Sequence, residues 1–237
     1  MDKKNNTDAV INNLFGSKVY QAQIKGYEKI NKKIIPFIEK FVKEQPGRFA
    51  TTTDIRGKET YTSFDGEGAM DNFHTDKKYK LLFDELNKHV KAFITALGYD
   101  LTKFDIHIVK AWSTYTAKEQ HIALHRHTAS HFSTVYYVRA EEMGNLKIEE
   151  EQGAKLGLFI PPTDQYFSEW NEFNFASYNL TATTGNFVMF PSTLMHMTED
   201  NTKDIPRISI SSDVLLTMKS GVSAEHCIPH PEGWLTI

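Results

Sequence analysis

Ten histidines occur among the 237 residues, and four of them, His121, His125, His127 and His131, fall within eleven consecutive positions. Imidazole is the commonest metal-ligating side chain, although a lone histidine is more often a surface or satisfied core residue. Here the spacing is more informative than the number. On an extended strand, residues i and i+2 point to the same face, so His125 and His127 can aim both rings at one point. A third histidine, His196, lies just beyond the strand-like run 186–190, in Phe190-Pro-Ser-Thr-Leu-Met-His196. Two imidazoles from one strand edge and a third from a later strand describe a facial metal site inside a β-barrel, with coordination positions left open.

Arg207 follows His196 by 207 − 196 = 11 residues, in Pro206-Arg-Ile-Ser-Ile-Ser-Ser. Alternation puts Arg207, Ser209 and Ser211 on one face and Ile208 and Ile210 on the other. An inward-facing arginine needs an anionic partner, because an unpaired buried charge is strongly disfavoured. Its fork suits a carboxylate, and Ser209 can add a hydroxyl donor to the same group. The competing arrangement turns Arg207 outward, paired with Asp200 or Asp204.

These groups need elements to hold them. Up to about residue 100 two helical patterns stand out. In residues 27–42, Ile30, Ile34, Ile38 and Phe41 share a face despite Pro36; in residues 77–97, Leu82, Leu86, Val90, Phe93 and Leu97 recur at three- and four-residue spacing. Gly98 then stands where a helix C-terminus favours glycine. Residues 50–75 are polar and weakly patterned, a loop with room for one short strand. From Phe104 the composition turns β-branched and aromatic. Residues 105–116, 131–138, 144–148, 181–190 and 206–216 read as short strands separated by turns. The predicted fold is therefore α+β and mainly β: N-terminal supporting helices followed by an antiparallel sandwich or barrel. Residues 1–237 are read as a single domain. A helical support region spans about 14–100, a β core about 104–216 with a long connection at 151–180, and a tail 217–237. That connection is crowded with aromatics, Tyr166 and Trp170 among them, which serve either as core covering the sheet or as a lid.

The composition bounds the function. Lys+Arg number 27 against 30 Asp+Glu, a net charge of −3, which supplies no electrostatic footprint for nucleic acid or an anionic membrane. The single cysteine, Cys227, cannot form an internal disulfide and is read as a bland free thiol. The first ten residues precede no apolar stretch, so no signal peptide is predicted, and no window approaches the ~18 apolar residues of a membrane span. A cytoplasmic protein is the expectation. The i, i+4 pairs His121/His125 and His127/His131 would suggest zinc on a helix, but no HExxH motif is present and the β-branched run that follows argues against a helix.

Taken in order, His125-x-His127, Ser133-Thr-Val-Tyr-Tyr-Val, Gly144-Asn-Leu-Lys-Ile, Gly185-Asn-Phe-Val-Met-Phe-Pro-Ser-x-x-x-His196 and Arg207-Ile-Ser resemble the 2-oxoglutarate/Fe(II)-dependent oxygenases, most of all their small bacterial and phage members. The likeness spans about residues 14–214. It implies a double-stranded β-helix (jelly-roll, cupin-like), Fe(II) as cofactor and 2-oxoglutarate as co-substrate. By the same resemblance His125 and His196 would be iron ligands. Arg207, helped by Ser209, would hold the distal carboxylate of 2-oxoglutarate, and Tyr137 or Thr134 would line that pocket. Trp112, His131, Tyr166 and Trp170 become candidates for substrate or lid positions. The implied reaction couples decarboxylation of 2-oxoglutarate to succinate with hydrogen abstraction from a substrate.

One position departs from the family's pattern. Its usual second ligand is Asp or Glu, and here that position is His127. A third neutral imidazole leaves the metal site more positive than a carboxylate would. Three arrangements stay open: a working three-histidine centre, a carboxylate supplied from Glu149, Glu150 or Asp213, or a His127 that points away. In function, an oxygenase, most simply a hydroxylase acting on a small molecule or a protein side chain, stands against a cupin-like metal- or ligand-binding module. A three-histidine dioxygenase independent of 2-oxoglutarate lies between them. A homo-oligomer is compatible with all three, and Arg207 is the discriminating residue.

Overall fold

A computed structural model describes residues 16–44, 61–63, 71–149, 168–169 and 177–236. In chain order the elements are β1 (Tyr20–Gln23), α1 (Tyr27–Glu44), β2 (Tyr61–Thr62), α2 (Lys80–Ala96), β3 (Phe104–Thr116), β4 (Phe132–Arg139), β5 (Leu146–Glu149), β6 (Ser177–Leu180), β7 (Asn186–Pro191), β8 (Met195–Thr198) and β9 (Arg207–Met218). One sheet runs in the order β1-β7-β4-β9-β3-β2 and a second in the order β6-β5-β8, and every named pairing is antiparallel. The sequence predicts both helices, and α1 continues through Pro36. Gly98, at φ +87°, donates its N–H to the Thr95 carbonyl and closes the helix that precedes it, as glycine at this position does.

The larger sheet is covered on both faces. On one, Ile30, Ile34 and Ile38 of α1 and Leu82, Leu86, Val90 and Phe93 of α2 pack in one cluster with Tyr136, Val138, Ile208, Ile210 and Val214. On the other, Tyr137, Val188 and Phe190 pack with Leu146 and Leu180 of the smaller sheet. Alternation along β9 therefore sends its isoleucines to the helices and Arg207, Ser209, Ser211 and Asp213 into a cavity between the sheets.

A register shift between Tyr137 and Arg139 takes Val138 out of the β4–β9 ladder. Its carbonyl accepts instead from Asn31 Nδ2 at 2.8 Å, and Asn31 Oδ1 accepts from the Tyr136 hydroxyl at 2.6 Å. A buried side chain from α1 thus satisfies the backbone group that the bulge releases, as burial requires.

Two sequence expectations are corrected. β1 falls where no strand was read, and its register runs Tyr20↔Met189 to Gln23↔Asn186. Residues 181–185 form the turn before β7 rather than part of the strand. Residues 119–131 carry no helix, in agreement with the sequence argument against a helical zinc arrangement. Tyr166, Trp170 and Glu150 lie outside the described residues. Among the described residues no helix is long and apolar enough to cross a membrane.

Candidate metal and co-substrate site

The segment carrying His125 and His127 is not a regular strand, so the spacing argument reaches the right geometry by another route. His125 and His196 exchange both backbone hydrogen bonds, at 2.9 and 2.8 Å, as an isolated antiparallel bridge. The His127 N–H donates to the Ser192 carbonyl at 2.9 Å, and Ser192 N–H to the His131 carbonyl at 3.0 Å. Thr198 N–H reaches the Ile122 carbonyl at 3.1 Å. The histidine segment is thereby laced along β8 and the turn before it. The three rings gather, with centroid separations of 4.2 Å for His125–His196 and 5.3 Å for each of the other two pairs. One ring nitrogen from each lies within 4.8 Å of the others.

Hydrogen bonding on the opposite edges decides which nitrogens face inward. His125 Nδ1 is 2.8 Å from the Ala123 carbonyl, His196 Nδ1 is 2.8 Å from the Leu194 carbonyl, and His127 Nδ1 is 2.6 Å from Asp213 Oδ1. Carbonyl and carboxylate oxygens only accept, so each Nδ1 carries a proton and Nε2 is the nitrogen left to face the other rings. Burial, and next the neighbouring His125, push the His196 pKa down to about 3. Burial likewise lowers that of His125. Two imidazoles held neutral, each with its second nitrogen fixed by a backbone acceptor, suit a divalent metal.

Of the three arrangements open for His127, the structure has its ring turned toward the other two. Glu149 pairs with Lys147 at 2.7 Å and alternates outward from Ile148, the residue opposite His196. Asp213 stands behind His127 and not beside the other two rings.

Arg207 is 2% exposed, which overturns the outward arrangement; Asp204 pairs with Lys118 and Asp200 with His121. Its Nη1 donates to the carbonyls of Met143, Gly144 and Glu199 at 2.9, 3.0 and 3.1 Å, and Nη2 to Thr198 Oγ1 at 2.7 Å. These neutral acceptors leave its charge without an ion pair among the described residues. Burial lowers the guanidinium pKa, opposed by Tyr137, Asp200 and Glu199. The Tyr137 hydroxyl is buried with no hydrogen-bond partner among the described residues. Burial pushes its pKa up to about 12, with the Arg207 charge pulling the other way. A buried cation without a counter-charge and an orphaned phenol call for an anion between them.

Ser209 lies opposite both Thr114 and Tyr137 in the register, on the cavity face, where directly opposed residues share a side. Thr134 also borders the cavity, but its hydroxyl is bonded to Ser212, and alternation along β4 sets its side chain with Tyr136 rather than Tyr137. Trp112 lines the cavity, its ring 5.6 Å from that of His127. His131 is held elsewhere, its Nδ1 accepting from Leu216 N–H at 3.0 Å. The cavity is about 300 Å³.

Sequence reading missed Thr198, although the signal was available. It stands at i+2 from His196 and so on the same face of β8, about 7 Å along the strand. Since Thr198 holds Nη2 of Arg207, the guanidinium sits about one pleat repeat along β8 from His196 of the histidine group. Gly144 flanks the guanidinium at φ +88°; a Cβ there would lie 2.5 Å from the Asp200 carbonyl, 2.6 Å from that of Glu199 and 2.9 Å from Arg207 Nη1. Gly144→Ala is expected to cost about 3 kcal/mol or more in stability, from strain and clash together. Denaturant titration measures the loss, which should come with weakened anion binding as Arg207 shifts.

Residues 110–213 match the family model described as "Putative 2OG-Fe(II) oxygenase". No protein of curated function matches the chain by sequence. Among solved structures, the chain is similar to the non-heme alpha-ketoglutarate-dependent carbocyclase SnoK of nogalamycin biosynthesis, at TM-score 0.56 and 11% identity over 89% of this chain and 85% of that one. HygX from Streptomyces hygroscopicus, solved with nickel and 2-oxoglutarate bound, gives TM-score 0.52 and 12% identity over 84% and 82%. A Pseudomonas putida prolyl-4-hydroxylase gives 0.50 and 11% over 84% and 92%. At these identities the likeness is one of fold.

Proposed function

We propose that this chain, whose residues 110–213 match the family model of the putative 2OG-Fe(II) oxygenases, is a 2OG-Fe(II) oxygenase and acts as a hydroxylase. In this reading the two sheets form a double-stranded β-helix within a single domain. His125, His127 and His196 hold Fe(II), Arg207 and Tyr137 hold the distal carboxylate of 2-oxoglutarate, and the substrate is a small molecule or a protein side chain. The observation that carries the reading is the pairing of a buried, unneutralised Arg207 with the orphaned Tyr137 hydroxyl, set along β8 from a convergent histidine triad.

When bound, iron and 2-oxoglutarate would supply the oxidising chemistry with O2 as the oxidant, one oxygen atom ending in succinate as 2-oxoglutarate loses CO2 and the other in the oxidised C–H bond of the substrate. The rest falls to the chain. Three Nε2 lone pairs face one point, and their Nδ1–H bonds keep the rings from turning. Three backbone carbonyls and Thr198 hold the Arg207 fork in one orientation, so a carboxylate meets preorganised donors at no further ordering cost. Tyr137, Phe190 and Leu146 keep that end of the cavity dry, which strengthens the ion pair. Trp112, beside His127, is positioned to bear on substrate. Succinate formation that needs Fe(II), O2 and an intact Arg207 tests the reading. Metal binding without any 2-oxoglutarate turnover would favour the binding module.

A further inference from the structure

Among the described residues, Asp213 is the one carboxylate hydrogen-bonded to the histidine triad. Its Oδ1 lies 2.6 Å from His127 Nδ1, and both side chains are largely buried, 14% and 17% exposed. No Lys or Arg pairs with Asp213 among the described residues; the Ser133 hydroxyl donates to the same oxygen at 3.3 Å and sits 3.0 Å from His127 Nδ1. Ser133 is held in turn by Ser192 Oγ at 3.0 Å, and the Ser192 carbonyl accepts the backbone N–H of His127. His127 is thus gripped at ring and backbone by one connected set of residues. The other two histidines are treated differently. Each donates Nδ1–H to a neutral carbonyl two residues back, Ala123 for His125 and Leu194 for His196. His127 alone donates to an anion.

We infer that Asp213 is a positioning residue for the metal, supplying through His127 the negative charge that the 2-oxoglutarate oxygenases usually place in a ligand at that position. The inference rests on the three-histidine reading of the centre. A carboxylate accepting Nδ1–H fixes the ring, raises the basicity of Nε2 and partly offsets the charge of a divalent ion. The anionic group has in effect moved outward by one imidazole. The register of β9 carries this, since Asp213 faces Ser133 across one ladder on the cavity side of the sheet.

Co(II), which needs neither O2 nor 2-oxoglutarate, is the probe, read by its visible ligand-field absorption during titration of the full-length protein. Wild type is expected to bind one equivalent. Asp213→Asn, nearly isosteric but neutral, is expected to lower Co(II) affinity about 10- to 100-fold and shift the absorption bands, with the metal-free melting temperature within a few degrees of wild type. Ser133→Ala, which leaves the carboxylate, is expected to stay within about threefold. Wild-type affinity and spectrum in Asp213→Asn would overturn the inference, and so would an equal loss in Ser133→Ala. Should Asp213→Asn fail to fold, Asp213→Glu keeps the charge but displaces it: a shifted spectrum supports the role, an unchanged one with wild-type affinity overturns it. Failure of the underlying reading looks different. Wild type would then bind no Co(II), or bind it indifferently to His196→Ala.

Discussion

His196→Ala is expected to abolish stoichiometric metal binding, with the affinity for Co(II) or Mn(II) falling by more than about 100-fold. Outer partners of metal-bound histidines are already worth about 10- to 100-fold, and a ligand removed outright must exceed them. The ring is 5% exposed and packs edge-on to Phe190 at 4.8 Å, so no other described side chain stands ready to take its place. The backbone bridge to His125 does not involve the ring and should survive. Folding is therefore expected to persist, with a stability cost of about 1–3 kcal/mol from the Leu194 carbonyl losing its partner. Equilibrium dialysis with metal analysis, alongside a melting curve, separates lost binding from lost structure.

The second large effect is expected at Arg207. Arg207→Ala is expected to remove measurable binding of 2-oxoglutarate to the Mn(II)-loaded protein under anaerobic conditions. It also strands the carbonyls of Met143, Gly144 and Glu199, which together hold Nη1, so it should lower stability as well. Tyr137→Phe is the cleaner variant. The hydroxyl has no partner among the described residues, so its removal should leave the ligand-free protein as stable as wild type or slightly more so. A hydrogen bond to a charged group is worth about 1.5–3 kcal/mol, which corresponds to a loss of roughly 10- to 150-fold in 2-oxoglutarate affinity. Weaker binding combined with unchanged or improved stability is the signature of a ligand-facing group. Calorimetric titration and thermal melting read the two quantities separately. Tyr137→Phe binding 2-oxoglutarate as wild type does would remove that residue from the proposed carboxylate site.

The parity of β9 was the most legible feature of the sequence, because Arg207, Ser209 and Ser211 alternate with two isoleucines, although the alternation alone left open which of the two faces turns inward. The helices were legible for the same reason at their own period. β1 was not. It is four residues long and gains its place only by pairing with β7, far along the chain, so nothing local distinguishes it from a loop. The histidine pair shows a subtler failure. The i, i+2 argument assumed a strand, whereas the rings converge because backbone bonds to His196 and Ser192 hold an irregular segment in register. Tyr137 and Thr134 could not be separated by composition. Their alternation along β4 separates them, with Thr134 tied to Ser212 and Tyr137 facing Arg207's side of the sheet. Asp213 was visible as a carboxylate in the middle of a strand, but its attachment to His127 depends on a cross-strand register that no single-sequence pattern contains.

In the proposed centre, one cavity holds a metal on three histidines and the distal carboxylate of 2-oxoglutarate on Arg207. Succinate is the most direct readout, because it forms only if both are held in the right relation, and slow turnover without substrate suffices to detect it. Anaerobically loaded Fe(II) protein, given 2-oxoglutarate and then O2, is expected to release succinate that disappears when iron or O2 is withheld and in both His196→Ala and Arg207→Ala. Succinate that persists in either variant, or none from a wild-type protein that has bound its iron, would contradict the account.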